Sequence, residues 1–212
     1  MPKTLREDDK REASECFCSD SAQFDSDRRE LLIGCAALVA GAAGLLPEEA
    51  DAAAKPDRKM LQPGDRFQIV RGSLKGETLR PELLKVGERP FEGFPLDPTE
   101  NVLRRKNRLN RVLMLRLDPQ EMDEPTRERS TEGVLVYSAL CTHRSCTIKS
   151  WKAEERHLRC HCHLSEFAAL SEGSVKNGPA KRQLPMVPLG LDDEGFVVGL
   201  EGFTRKPGGA KK

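Results

Sequence analysis

Two stretches decide the reading: Cys141-Thr142-His143-Arg144-Ser145-Cys146, and Cys160-His161-Cys162-His163-Leu164-Ser165-Glu166-Phe167. The window from residue 141 to 163 holds all four histidines of the 212-residue chain and four of its seven cysteines. The ligand spacing is C-x-H, sixteen residues, then C-x-x-H, which offers two thiolates and two imidazoles from two loops able to face each other. A tetrahedral S2N2 set suits zinc or an iron–sulfur centre, so spacing alone leaves the metal open. Cys146 and Cys162 sit at matching offsets in the two loops. If the loops clasp one metal, these sulfurs come close enough to bridge, a tie that zinc does not need and that suits an oxidising, exported setting.

Outward from the loops, short apolar runs alternate with turn residues, the pattern of a β-rich domain over residues 67–203. Candidate strands are Phe67 to Arg71, Arg111 to Leu117, Gly133 to Leu140, Cys146 to Trp151, His157 to Cys160, Leu184 to Leu189 and Phe196 to Leu200. Tyr137 and Trp151 are expected in the core. His157 and His161 fall outside the ligand spacing, although His161 stands between two cluster-loop cysteines. Arg104, Arg105, Lys106, Arg108 and Arg111 form a basic cluster expected as a solvated turn or helix end, with partner docking as the other reading. No aromatic residues interleave it for base stacking.

Residues 1–27 are polar, acidic and without apolar periodicity, and are read as disordered. Residues 28–46 open on Arg28-Arg29 and continue into an uncharged run from Leu31 to Leu46, the twin-arginine export pattern. Sixteen residues reach about 24 Å, short of the roughly 30 Å hydrocarbon core. The run is expected as a cleaved signal or as an inner-membrane signal anchor. Cys16, Cys18 and Cys35 belong to this leader. Residues 47–66 read as a linker and 204–212 as a flexible basic tail. A formal charge of +1, from 35 basic and 34 acidic residues, argues against nucleic acid held by bulk charge. No phosphate-binding glycine pattern or nucleophile arrangement stands out, so no catalytic residue is assigned.

The two loops resemble the cluster-binding loops of Rieske proteins, whose [2Fe–2S] centre has two Cys on one iron and two His on the other. That resemblance implies a mainly β fold, an antiparallel β-sandwich with a small two-loop cluster-binding subdomain, preceded by the signal or anchor helix. It implies Cys141 and Cys160 on the buried iron, His143 and His163 on the outer iron, and a Cys146–Cys162 disulfide. Gly178-Pro179-Ala180 is similar to the family's proline loop over the cluster, making Pro179 a covering residue. Ser165 keeps the hydroxyl that bonds a bridging sulfide, whereas Phe167 replaces a Tyr that bonds a ligand sulfur, which implies a lowered potential. With imidazoles on the outer iron, the potential is expected to fall with rising pH in the alkaline range.

Some departures bear on the partner. Arg144 and Ser145 stand where quinol-oxidising members carry Leu and Gly, and Leu164 replaces a Gly after the second histidine. A charged tip is costly to bury in an apolar crater. The run Val136 to His143, the run Cys162 to Phe167 and Gly202-Phe203 are more similar to the small subunit of arsenite oxidase. The main expectation is therefore a periplasmic one-electron relay, exported by the twin-arginine route, serving a large molybdopterin-containing catalytic subunit and a c-type cytochrome or similar acceptor. The alternative is the Rieske subunit of a quinol–cytochrome c reductase. A structural zinc module comes next. Rieske ferredoxins and oxygenases come last, because they normally lack the Cys146 and Cys162 pair and an oxygenase needs a second iron site.

Overall fold

The computed structural model describes residues 55–209. The expectations for the polar N-terminus, for Arg28-Arg29 and the run 31–46, and for Cys16, Cys18 and Cys35 lie outside the described residues. Two strands organise the rest: β4 (Val112–Arg116) and β5 (Val134–Ser138) pair antiparallel, with Leu113 opposite Tyr137 and Leu115 opposite Leu135. Successive side chains of a strand point to opposite faces. Leu113, Leu115, Leu135 and Tyr137 therefore enter one core, and Val112, Met114, Val134 and Val136 enter another. Both faces of β5 are buried, which is why its sequence is an apolar run rather than an alternation.

Around this pair, β1 (Arg66–Ile69), β2 (Phe91–Asp97), β10 (Met186–Val187), β11 (Leu189–Leu191) and β12 (Val197–Gly199) complete an antiparallel sheet in the order β10-β5-β4-β2-β1-β12-β11, with β3 (Val102–Leu103) on β2. Between β5 and β10 the chain makes a second sheet, the meander β6 (Ser150–Lys152), β7 (His157–Arg159), β8 (Glu166–Ala168) and β9 (Ser174–Asn177). Leu158 and Phe167 face each other across β7 and β8 and pack, fully buried, with Leu135 and Tyr137 of the large sheet. Each such side chain contributes about 1.5–3 kcal/mol by leaving water. The Tyr137 hydroxyl donates to the Ala169 carbonyl at 2.9 Å and pins the small sheet to the large one. Among the described residues no helix is long and apolar enough to cross a membrane.

Several expectations need correction. The strand expected over 146–151 is interrupted: Thr147 makes a single antiparallel bridge to Leu140 at the close of a loop, and a continuous strand begins only at Ser150. The run 184–189 divides at Pro188, which has no N–H to continue a ladder, into β10 and β11. Trp151 is half-buried at the edge of the core rather than inside it. The linker expected up to residue 66 is already folded from residue 55: Leu61 is buried, and Asn110 accepts from its amide while donating to the Lys59 carbonyl.

The basic cluster is not uniformly solvated. Arg104 is buried, with Asp65 at 2.8 Å and Asp97 at 2.8 Å, and Lys106 and Arg111 reach Asp57 and Glu92. The residues expected as a flexible tail also depart from that reading. Pro207 and Gly208 are buried, and the chain from 204 to 209 folds back along the first metal-loop candidate.

Candidate metal centre

Loop one (residues 141–146) leaves β5 and closes on itself. The Cys141 amide donates to the Cys146 carbonyl at 2.9 Å and the Ser145 amide to the Cys141 carbonyl at 2.8 Å. Loop two (residues 160–165) joins β7 to β8, with the Cys160 amide donating to the Ser165 carbonyl at 2.9 Å. So tight a closure puts Ser145 at φ 59° and Leu164 at φ 58°, left-handed conformations that favour glycine. The two glycines expected by resemblance and missing here thus correspond to a real backbone demand.

Cys146 and Cys162 form a disulfide with their Cα atoms 6.5 Å apart, and their sulfurs lie within 4.8 Å of the Cys160 Sγ. The loops are thereby locked face to face. Cys141 and Cys160 are unbridged and buried, at 1% exposure each. Burial, reinforced by the Cys160 sulfur, pushes the Cys141 thiol up, while the His143 amide and the Ser165 hydroxyl favour its thiolate. The His143 and His163 rings meet edge to face, with centroids 4.7 Å apart. Burial foremost, then the nearby His163 and Arg144, lowers the pKa of His143 and favours the neutral ring a metal needs. His143 Nδ1 is buried without a hydrogen-bond partner. A buried polar atom is costly when left unpaired, so this nitrogen points to a partner that is not protein.

A third segment covers the pair. Gly178 has φ 84°, and a Cβ there would stand 2.6 Å from the Ser165 Cα and 2.7 Å from its nitrogen, so only glycine allows the approach. The Ala180 amide donates to the Ser165 hydroxyl at 3.2 Å. Pro179 itself is exposed on top of the segment. Phe167 lies in the core beneath loop two, and Arg144 and Leu164 are exposed at the tips, Leu164 at 48%. His161 is exposed beside the Ser150 hydroxyl, and His157 Nδ1, also without a hydrogen bond, has the Glu166 carboxylate 3.7 Å away to neutralise it, so neither joins the four candidate ligands.

Comparison with known proteins meets this geometry. The Rieske [2Fe-2S] domain family matches residues 120–188. The cytochrome bc1 complex Rieske iron-sulfur subunit of Streptomyces lividans is 33% identical over 137 residues, covering 63% of this chain and 80% of that one. The chain belongs to the Rieske family. The Streptomyces coelicolor subunit of the same name is also 33% identical, but the match covers only 38% of its length. The soluble domain of Rieske protein II from Sulfolobus acidocaldarius aligns with TM-score 0.35 at 21% identity, over 42% of this chain and 61% of that one.

A Rieske domain carries a [2Fe–2S] cluster. The residues present fit one: two buried thiols inward, two imidazoles outward, and an orphaned ring nitrogen at the join. What sequence reasoning missed is the support of loop one. The Thr142 hydroxyl donates to the Arg182 carbonyl at 2.6 Å, Arg108 donates to the Ser145 carbonyl, and the Gly209 amide donates to the Ser145 hydroxyl at 2.8 Å. The only local signal was the Gly208-Gly209 pair near the end of the chain.

Proposed function

We propose that Cys141 and Cys160 ligate one iron of the cluster and His143 and His163 the other, and that the chain passes single electrons as the iron–sulfur subunit of a cytochrome bc-type complex. Bound there, the cluster supplies a one-electron couple of the Rieske range. The orphaned His143 Nδ1, its ring against that of His163 in the two loops that also carry the buried thiols, carries the ligand assignment. That the similar Streptomyces proteins are iron-sulfur subunits of cytochrome bc1 complexes supports the complex. The protein's own part is to keep the thiols dry, fix the imidazole edges at the surface and tie the loops through Cys146–Cys162.

The test is EPR of the reduced protein. The native chain and H161A should give the Rieske signal, and H143A and C160A should lose it. A colourless protein that holds zinc and has no acid-labile sulfide would overturn the assignment. Redox titration against pH is expected to show a potential that falls in the alkaline range.

A second reading, in which the chain serves a molybdopterin-containing subunit as in arsenite oxidase, is favoured by the exposed Arg144 at the tip. Co-purification separates the two: a haem b protein supports the first and a molybdopterin subunit the second. Export through Arg28-Arg29 to a periplasmic location, with residues 31–46 as signal or anchor, belongs to the same proposal. Replacing both arginines by lysine should leave cluster-bearing protein in the cytoplasm.

A further inference from the structure

We infer that the cluster end of this protein is a basic docking face for a redox partner that presents an acidic surface, an inference that rests on the electron-transfer reading above. Five segments converge there: 105–111, 141–149, 160–165, 178–184 and 202–209. Their convergence is given by contacts already named, Arg108 and Gly209 on Ser145, Arg182 on Thr142, and Gly178 and Ala180 on Ser165. Arg182 also donates to the Gly208 carbonyl at 2.6 Å. Together the segments carry ten Lys or Arg and no Asp or Glu, in a chain whose totals are 35 and 34.

Arg104, Lys106 and Arg111 have carboxylate partners elsewhere. By contrast, Arg108, Arg144, Lys181, Arg205 and Lys206 are exposed, Arg182 is half-buried, and among the described residues none of these six pairs with a carboxylate. The exposed Leu164 and the His163 ring stand within this field of one sign. Like charges gathered without counter-charges repel one another, and an opposing acidic surface relieves that repulsion and speeds encounter. A redox protein is the favoured occupant over a lipid surface because the imidazole edges, the route for the electron, lie inside the patch.

Because the whole chain is nearly neutral, the salt dependence of encounter reads this face rather than the net charge. Two small oxidants serve as probes, hexacyanoferrate(III), an anion, and tris(phenanthroline)cobalt(III), a cation. Each takes one electron from the reduced cluster, leaving it oxidised and the oxidant as its iron(II) or cobalt(II) form. In stopped flow, the anion's rate should fall about tenfold as ionic strength rises from about 10 to about 200 mM, while the cation's rate rises. The triple variant R144S/K181S/K206S should flatten both slopes and leave sulfonate resin at lower salt, a readout that needs no electron transfer. K75S, outside the five segments, should change neither.

Equal slopes for the two oxidants, or slopes indifferent to the triple variant, overturn the inference. Binding to phosphatidylglycerol vesicles that the triple variant abolishes, combined with charge-indifferent oxidation, assigns the face to a membrane and overturns it too. Loss of the ligand assignment is distinguishable, because it removes the EPR signal before any rate is measured.

Discussion

Loop one and loop two present the same chemistry, a buried thiol and an outer imidazole, but they are held in different ways. Loop two is a hairpin turn between β7 and β8, covered by Gly178 to Ala180. Loop one is gripped from three remote places, by Arg108 before it and by Arg182 and Gly209 after it. A hairpin positions its turn through its own ladder. Loop one has only a short pairing across its base, the Leu140–Thr147 bridge with the Ile148 amide on the Ala139 carbonyl at 2.8 Å, and takes further support from segments far away in sequence. The position of His163 thus rests mainly on its own hairpin and the covering segment, and that of His143 on a short pairing and three more distant contacts.

The strongest way to break the contrast is to remove what the loops share. C146S/C162S opens the tie and should cost about 3 kcal/mol in chemical denaturation, with faster cluster loss from both loops. Next, G178A places a Cβ against the Ser165 backbone and should cost about 2 kcal/mol. Its effect should centre on loop two, leaving the NMR shifts of the Gly209 amide unmoved. S145A removes the acceptor for that amide and should cost about 1 kcal/mol, with the Gly209 amide losing its exchange protection. The last two effects have the opposite sign. L164G relieves a left-handed leucine and should stabilise by about 1 kcal/mol, read as a rise of a few degrees in Tm. S145G should gain less, because it relieves the same strain but forfeits the Gly209 hydrogen bond.

Legibility in the sequence followed the same division. The four candidate ligands, the bridged cysteines, β5 and the covering segment stand in short motifs whose residue types state their chemistry. Strand β2 was missed because Gly93 and Pro95 interrupt its apolar run. Both are accommodated, and a Cβ at Gly93 would stand 2.6 Å from the Gln68 carbonyl of the neighbouring strand. Arg104 looked like one more exposed cation because Asp65, which it grips through two nitrogens, lies 39 positions away, and only the fold brings Asp97 round to the same side chain. The fold of 204–209 was hidden for a similar reason, since Gly209 meets its partner Ser145 across 64 positions. Pairings of that reach depend on topology, and a local window reads a basic, glycine-rich end as a free one. The exported small-subunit reading drew on local likeness as well, and the curated relatives favour a bc-type complex instead.

Strand β5 has one further consequence. Five residues form the wall on which both cores lean, and the first candidate ligand follows three positions after its end. Heating cannot melt that wall and spare the metal site, nor release the site's floor without exposing the second core. Loss of the cluster's colour and loss of β-structure are therefore expected to trace a single thermal curve, making visible absorbance a direct gauge of folding in this protein.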